Sequence, residues 1–185
     1  AALNEVLQRC MAKAPTDRPA AEELSDQLVS VYQNCFNQPP PACPYAGTFT
    51  AGDYSNRGLT YGALRQYERA LADYDRAIEL DPNDAIAYSN RGTIYYALQK
   101  YAQAREDFER AIALNPSFAK AYSNQGVIHD DLQQHDTALA DFDRAIALDP
   151  YYADAYYNRG ETYHHLQQYD MALADYDRAI ELDDG

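Results

Sequence analysis

Asp130, Asp131, His164 and His165 are the side chains of this sequence that come nearest to a chemical site. Two carboxylates and two imidazoles form a donor set that accepts a divalent metal. The sequence enforces no spacing between ligands on different helices, so a polar wall with titrating histidines is the preferred reading and no metal is expected. No serine, histidine and acid set and no cysteine and histidine pair stands out as nucleophilic machinery, so no catalytic residue is assigned. Two further constellations recur along the chain. Asn56, Asn90, Asn124 and Asn158 each follow a Ser or Tyr and stand two residues before a Gly. Amides both donate and accept, so a ladder of them can hold the backbone of an extended peptide. Arg57, Arg91 and Arg159 share a slot just before that Gly, and Asp73, Asp107, Asp141 and Asp175 share another sixteen residues later. The spacing predicts internal ion pairs Arg57–Asp73, Arg91–Asp107 and Arg159–Asp175, with Gln125 standing where the third copy lacks its arginine.

The elements that must position these residues follow from a repeat. Asp81-Pro82, Asn115-Pro116 and Asp149-Pro150 recur every 34 residues, as do Tyr54, Tyr88, Tyr122 and Tyr156. Gly58, Gly92, Gly126 and Gly160 keep the same period, as do Ala70, Ala104, Ala138 and Ala172, and Ala77, Ala111, Ala145 and Ala179. Four copies start near Ala51, Ala85, Ala119 and Ala153, each reading as two helices. In the second copy Ile86, Ala87, Asn90, Ile94 and Leu98 have helical spacing, Gln99-Lys100 breaks it, and Ala104, Phe108, Ala111, Ile112 and Leu114 resume it before Asn115-Pro116. Turns are expected near Gln66, Lys100, Gln134 and Gln168. A Gly inside a helix costs about 1 kcal/mol relative to Ala, so glycines at one repeated slot imply a steric need. Gly92 and Ala104 are the expected contact inside a hairpin, and Ala111 the contact to the next. A single pair cannot bury its apolar face, so the copies must stack.

This pattern resembles the tetratricopeptide repeat (TPR) family. Copy one carries the family's slots as Tyr54, Gly58, Tyr61, Ala70, Tyr74, Ala77 and Pro82, and copy two as Tyr88, Gly92, Tyr95, Ala104, Phe108, Ala111 and Pro116. Copy three has His129 in a tyrosine slot, and copy four has Asp184 in place of the proline. The resemblance implies an all-α chain, a right-handed superhelix of four hairpins whose first helices line a concave groove. It also implies that the asparagine slot faces that groove. The stretch Tyr88-Ser89-Asn90-Arg91 resembles TPR modules that clamp a C-terminal carboxylate. Two of the five clamp positions match: Lys120 fits, but Ser55 and Leu59 occupy the slots of a Lys and an Asn, and Asn124 that of an Arg. Capture of chaperone tails is therefore disfavoured, and Ser89, Lys120 and Tyr96 join the four asparagines as candidate peptide contacts.

Composition narrows the partners. The 185 residues carry 15 basic and 29 acidic side chains, a formal charge of -14. Of these, residues 51–185 hold 12 basic and 24 acidic. Nucleic acid and anionic membrane surfaces are poor partners for such a chain, and a basic or polar protein segment is a good one. Apolar residues make up 46%, enough for a packed core, and no run approaches the ~20 apolar residues of a membrane span. Cys10, Cys35 and Cys43 form no Cys-x-x-Cys pair, so free thiols in a reducing compartment, and a cytoplasmic location, are expected. No signal peptide opens the sequence, and Ala1 within a helical pattern reads as the start of an excised piece.

Residues 1–50 fall outside the repeat. Leu3, Val6, Leu7, Cys10 and Met11 make one apolar helix face, Pro15 to Pro19 a break, and Leu24, Leu28, Val31 and Tyr32 a second amphipathic helix. Asn37 to Pro44 reads as an extended proline-rich linker. The run from Leu3 to Leu24, with its Pro15-x-x-Arg18-Pro19 turn, resembles the end of a protein kinase C-lobe. That resemblance implies that Arg18 pairs with the glutamate of an Ala-Pro-Glu motif upstream; Ala20 departs from the usual Ser or Thr cap. The phosphate loop, strand lysine, His-Arg-Asp loop and Asp-Phe-Gly of a kinase are absent. This chain is thus not expected to be an enzyme, and ATP and Mg²⁺ would belong only to a parent kinase domain.

The expected organisation is a kinase-tail hairpin at 1–36, a linker at 37–50, and repeats at 51–84, 85–118, 119–152 and 153–185. The expected function is recruitment of substrates or regulators to a Ser/Thr kinase through an extended peptide in the groove. Two alternatives are self-association, through residues 1–36 or through an uncovered last helix bearing Leu173, Tyr176 and Ile180, and a free-standing TPR scaffold.

Overall fold

The computed structural model describes residues 49–183. The kinase-tail hairpin expected over 1–36, and the linker except for Phe49 and Thr50, lie outside the described residues. Eight helices fill that range: α1 (Ala51–Ala63), α2 (Tyr67–Leu80), α3 (Ala85–Ala97), α4 (Tyr101–Leu114), α5 (Ala119–Asp131), α6 (His135–Leu148), α7 (Ala153–His165) and α8 (Tyr169–Asp183). No strand occurs among the described residues.

Local chemistry sets where each helix begins and ends. Thr50 caps α1 in a reciprocal box: its Oγ1 accepts from Asp53 N, and its own N donates to Asp53 Oδ2 at 2.9 Å. That backbone donor, with the Thr50 hydroxyl, lowers the Asp53 carboxyl from its ordinary value. Asp84 caps α3 by accepting from Ile86 N and Ala87 N. Between copies, Asp81, Asn115 and Asp149 accept from the backbone two residues on, at 3.0, 3.1 and 3.0 Å. This Asx turn is why Asp or Asn precedes each of those prolines.

Inside each copy the turn has a feature the residue types do not announce. Arg65, Gln99, Gln133 and Gln167 adopt φ of 57°, 58°, 60° and 60° with no glycine present. Each closes its first helix with paired bonds: Gln99 N donates to Tyr96 O at 2.8 Å and Lys100 N to Tyr95 O at 2.9 Å. That pairing ties off the last free carbonyls of the helix.

Packing explains the small-residue slots. A Cβ built on Gly92 would meet Phe108 Cε1 at 2.7 Å and Ala104 O at 3.2 Å; on Gly126 it would meet Phe142 Cε1 at 2.7 Å. The glycine thus lets the aromatic of the second helix lie against the first. The same aromatics reach the next copy. Ala70 and Tyr74 cluster with Ile94, and Ala104 and Phe108 with Ile128. Burying each of these isoleucines contributes about 1.5–3 kcal/mol, so the junctions between hairpins form the core. Thr162 takes the isoleucine slot in the last copy and is fully buried, its hydroxyl donating to Asn158 O at 3.2 Å. Ala77 clusters with Tyr54 and with Ala87 of the following copy.

Candidate functional site: the inner face of the first helices

Neighbouring first helices pack against one another at every junction, and no pair of second helices does so to the same degree. The first helices α1, α3, α5 and α7 therefore form the inner layer of the curve. Bonds between copies run along this layer. Asn124 Nδ2 donates to Thr93 Oγ1 at 3.4 Å, and Asn158 Nδ2 donates to Ser123 Oγ at 3.3 Å. Asn56 is exposed and Asn90 half-buried. The asparagine row thus spans the inner layer, and its last two amides also tie one copy to the preceding one. Lys120 is exposed at the start of α5.

Two expected peptide contacts are differently placed. Ser89 is fully buried and its Oγ has no hydrogen-bond partner. Ser89 is therefore closed to a peptide in the groove, contrary to the expectation from the sequence. Tyr96 is half-buried and its hydroxyl donates to Asp131 Oδ2 of the next copy at 2.7 Å. Burial, with the adjoining carboxylate, raises the Tyr96 phenol above its ordinary value and keeps it protonated. Tyr96 is thereby a link between copies as well as part of the wall.

The arginine and aspartate slots form bidentate pairs. Arg57 donates to Asp73 at 2.7 and 2.6 Å, Arg91 to Asp107 at 2.9 and 2.7 Å, and Arg159 to Asp175 at 2.7 Å twice. Arg91 and Arg159 also donate backwards to Asp75 and Asp143 of the preceding copy, at 2.6 Å each. Their guanidinium groups lie over Tyr88 and Tyr95, and over Tyr156 and Tyr163. Carboxylate acceptors on both sides raise both arginines and lock their charge. One planar fork therefore staples two helices of its own hairpin and a neighbouring hairpin.

The third copy solves the same problem with another residue. Gln125 fills the arginine slot and His129 the tyrosine slot, and His129 Nδ1 lies 2.7 Å from Asp141 Oδ2. Burial raises the Asp141 carboxyl and His129 opposes that rise. Both departures were visible in the sequence; their linkage was not, although two departures from one repeat in a single copy are a usable signal of compensation. A second histidine of this copy, His135, replaces the tyrosine of Tyr67, Tyr101 and Tyr169. Its Nδ1 lies 2.8 Å from Asp130 Oδ1, and His165 Nδ1 lies 2.9 Å from Asp130 Oδ2. Of the four residues first singled out for metal chemistry, Asp130 and His165 meet. Asp131 turns to Tyr96, and the His164 ring packs beside Tyr169, 5.5 Å between centroids.

A curved stack of helical hairpins with a polar inner face is the architecture of a helical-repeat interaction module. Tetratricopeptide repeat profiles match residues 51–124 and 153–185, and a TPR repeat profile matches residues 130–167. The first TPR of Spaghetti (RPAP3), solved bound to an HSP90 peptide, SRMEEVD, is 30% identical over 64% of this chain and 94% of its own length, with a TM-score of 0.60. The chain belongs to the tetratricopeptide repeat family. The second TPR domain of human RPAP3, solved with an HSP70 peptide, SGPTIEEVD, is 30% identical over 60% of this chain and 93% of its own, with a TM-score of 0.56. The crystal structure of MamA shares the fold at 22% identity, covering 94% of this chain and 96% of that one, with a TM-score of 0.64. No curated protein matches the chain. No described helix is long and apolar enough to cross a membrane.

Proposed function

We propose that this chain is a TPR interaction module that holds an extended, basic or polar peptide segment against its first helices. The observation that carries the reading is the row Asn56, Asn90, Asn124 and Asn158 at one slot of four successive inner helices. Amides at that spacing meet the donors and acceptors of an extended backbone. Family neighbours at 30% identity, solved with HSP90 and HSP70 peptides, support a peptide as the ligand class. The ligand chemistry differs in this reading. With Leu59 exposed at a clamp slot and Asn124 donating to Thr93, the inner face lacks the cationic ring that grips a terminal carboxylate. The acidic surplus of residues 51–185 instead favours a cationic partner, an attraction that fades with salt over a Debye length of about 8 Å.

The module would serve a Ser/Thr kinase. What supports this is the Pro15-x-x-Arg18-Pro19 turn within a run that resembles the end of a kinase C-lobe. A free-standing scaffold is the alternative, and the sequence of the whole gene product distinguishes the two. Self-association has its own supporting observation, since Leu173 and Ile180 on α8 are 59% and 60% exposed.

The test is capture of peptides from an array by the isolated chain, followed by anisotropy on a selected binder. Asn90→Ala with Asn124→Ala should weaken binding by at least about tenfold, as loss of two hydrogen bonds to a backbone would. Unchanged affinity in a folded double variant removes the asparagine row from the site.

A further inference from the structure

Asp130, His135 and His165 each offer one ligand atom, and the three atoms lie within 4.8 Å of one another. We infer that they form a site for a borderline divalent ion such as Zn²⁺, joining the third and fourth repeats. The inference goes beyond the peptide reading and does not rest on it. The absence of metal expected from the sequence rested on the missing constraint between helices, and the fold supplies that constraint.

The donors come from three helices. Asp130 lies in the last turn of α5, His135 opens α6, and His165 ends α7. Both imidazoles address one carboxylate, at 2.8 and 2.9 Å, and their ring centroids are 6.0 Å apart. Zinc bonds to nitrogen and oxygen of about 2.0–2.2 Å span donor pairs roughly 3–4 Å apart. Small side-chain rotations bring the three onto such a sphere. Two imidazoles and a carboxylate favour Zn²⁺, Co²⁺, Ni²⁺ or Cu²⁺ over Ca²⁺ or Mg²⁺, which prefer oxygen.

The surroundings suit a cation. Asp130 and His165 sit at helix C-termini, where carbonyl ends carry partial negative charge. The Asp130 side chain is 11% exposed and that of His165 49%, so the carboxylate is sheltered while one ligand borders solvent. Asp131, the next residue, is held by the Tyr96 hydroxyl, which anchors this end of α5. His135 stands where the other copies carry tyrosine, so the third copy alone offers an imidazole there. Three protein ligands leave room for water or a partner's side chain on the ion.

The experiment uses the untagged full chain with Cys10, Cys35 and Cys43 alkylated, so that thiols cannot compete. Zn²⁺ is titrated by calorimetry, and Co²⁺ is followed by its visible absorption as a reporter of geometry. The expected result is one ion per chain, a rise in melting temperature with Zn²⁺ but not with Mg²⁺, and a Co²⁺ band. His135→Tyr restores the residue of the other copies and should leave the fold intact while weakening Zn²⁺ at least about tenfold. His165→Ala and Asp130→Asn should do the same, and His164→Ala should not. No stoichiometric binding overturns the site. So does binding that survives in His135→Tyr, or binding lost in His164→Ala as fully as in His165→Ala.

Discussion

His129 Nδ1 lies 2.7 Å from Asp141 Oδ2 and does for the third copy what an arginine does for the other three. The exchange has a cost. Arg91 and Arg159 also reach Asp75 and Asp143 of the copy before, whereas His129 is too short for such a reach. Glu109, in the corresponding slot, pairs with Arg105 on its own helix at 3.6 Å. The junction between copies two and three is thereby held without an arginine staple, by apolar packing around Phe108 and Ile128 and by the Tyr96–Asp131 and Asn124–Thr93 bonds.

This yields a double-mutant cycle. His129→Tyr alone should destabilise the chain by about 1–3 kcal/mol, because it leaves the Asp141 carboxylate half-buried without its partner. Gln125→Arg with His129→Tyr rebuilds the arrangement of the other copies and should recover that loss. The two substitutions should couple by more than about 0.5 kcal/mol in urea unfolding. Additive effects would mean that Gln125 and His129 do not compensate each other.

A Cβ added at Gly92 would press on Phe108 and on Ala104 O. Gly92→Ala gains helix propensity, about 1 kcal/mol, yet it places a methyl 2.7 Å from a fully buried ring. Overpacking of this kind costs about 1–3 kcal/mol, so the net change should be destabilising. Gly52 is the control, since its Cβ would meet only Thr50 Oγ1 at 3.7 Å. Gly52→Ala should stabilise. A Gly92→Ala variant that melts higher than the parent would show that the aromatic slot has slack.

The left-handed turn residues point the other way. Gln99 and Gln133 hold φ near 60° at a strain of roughly 1–2 kcal/mol each. Glycine relieves that strain and loses part of the gain to unfolded-state entropy. Gln99→Gly and Gln133→Gly should each raise stability by roughly 0.5–1 kcal/mol in chemical denaturation, additively, because they lie in separate turns.

Tyr74 is one of several buried or half-buried tyrosines that bear on the alkaline limit. Its side chain is 1% exposed; burial first, and then the neighbouring Asp73 charge, push its phenol up from 10.0 to about 12. The folded state therefore keeps a proton that the unfolded chain has lost. Stability is full below pH 10 and falls as pH rises toward about 12. Tyrosinate absorbance at 295 nm should show exposed tyrosines titrating first and a late fraction appearing together with loss of helicity. Tyr74→Phe should shift that loss upward in pH. An unmoved midpoint would clear Tyr74 of the role.

Much of this architecture is local and therefore legible in the sequence. The 34-residue period, the Asp-Pro and Asn-Pro stops and the glycine slot define four hairpins, because helix starts, Asx turns and close approach at a glycine depend on residues within one copy. The Arg57–Asp73 type of pair is legible for the same reason, sixteen residues apart on two helices of one hairpin. The spacing places the turns, but it does not show their left-handed residues. Arg65 and Gln99 carry no signature of that conformation, and the paired bonds of the helix end impose it. What lies between hairpins was decided by tertiary structure alone. Burial of Ser89, the reach of Tyr96 to Asp131, and the meeting of Asp130, His135 and His165 depend on how one copy is rotated against the next. That rotation is fixed by the fit of Tyr74 against Ile94 and of Phe108 against Ile128. Such contacts are set by shape across a junction, and a one-dimensional spacing does not record them.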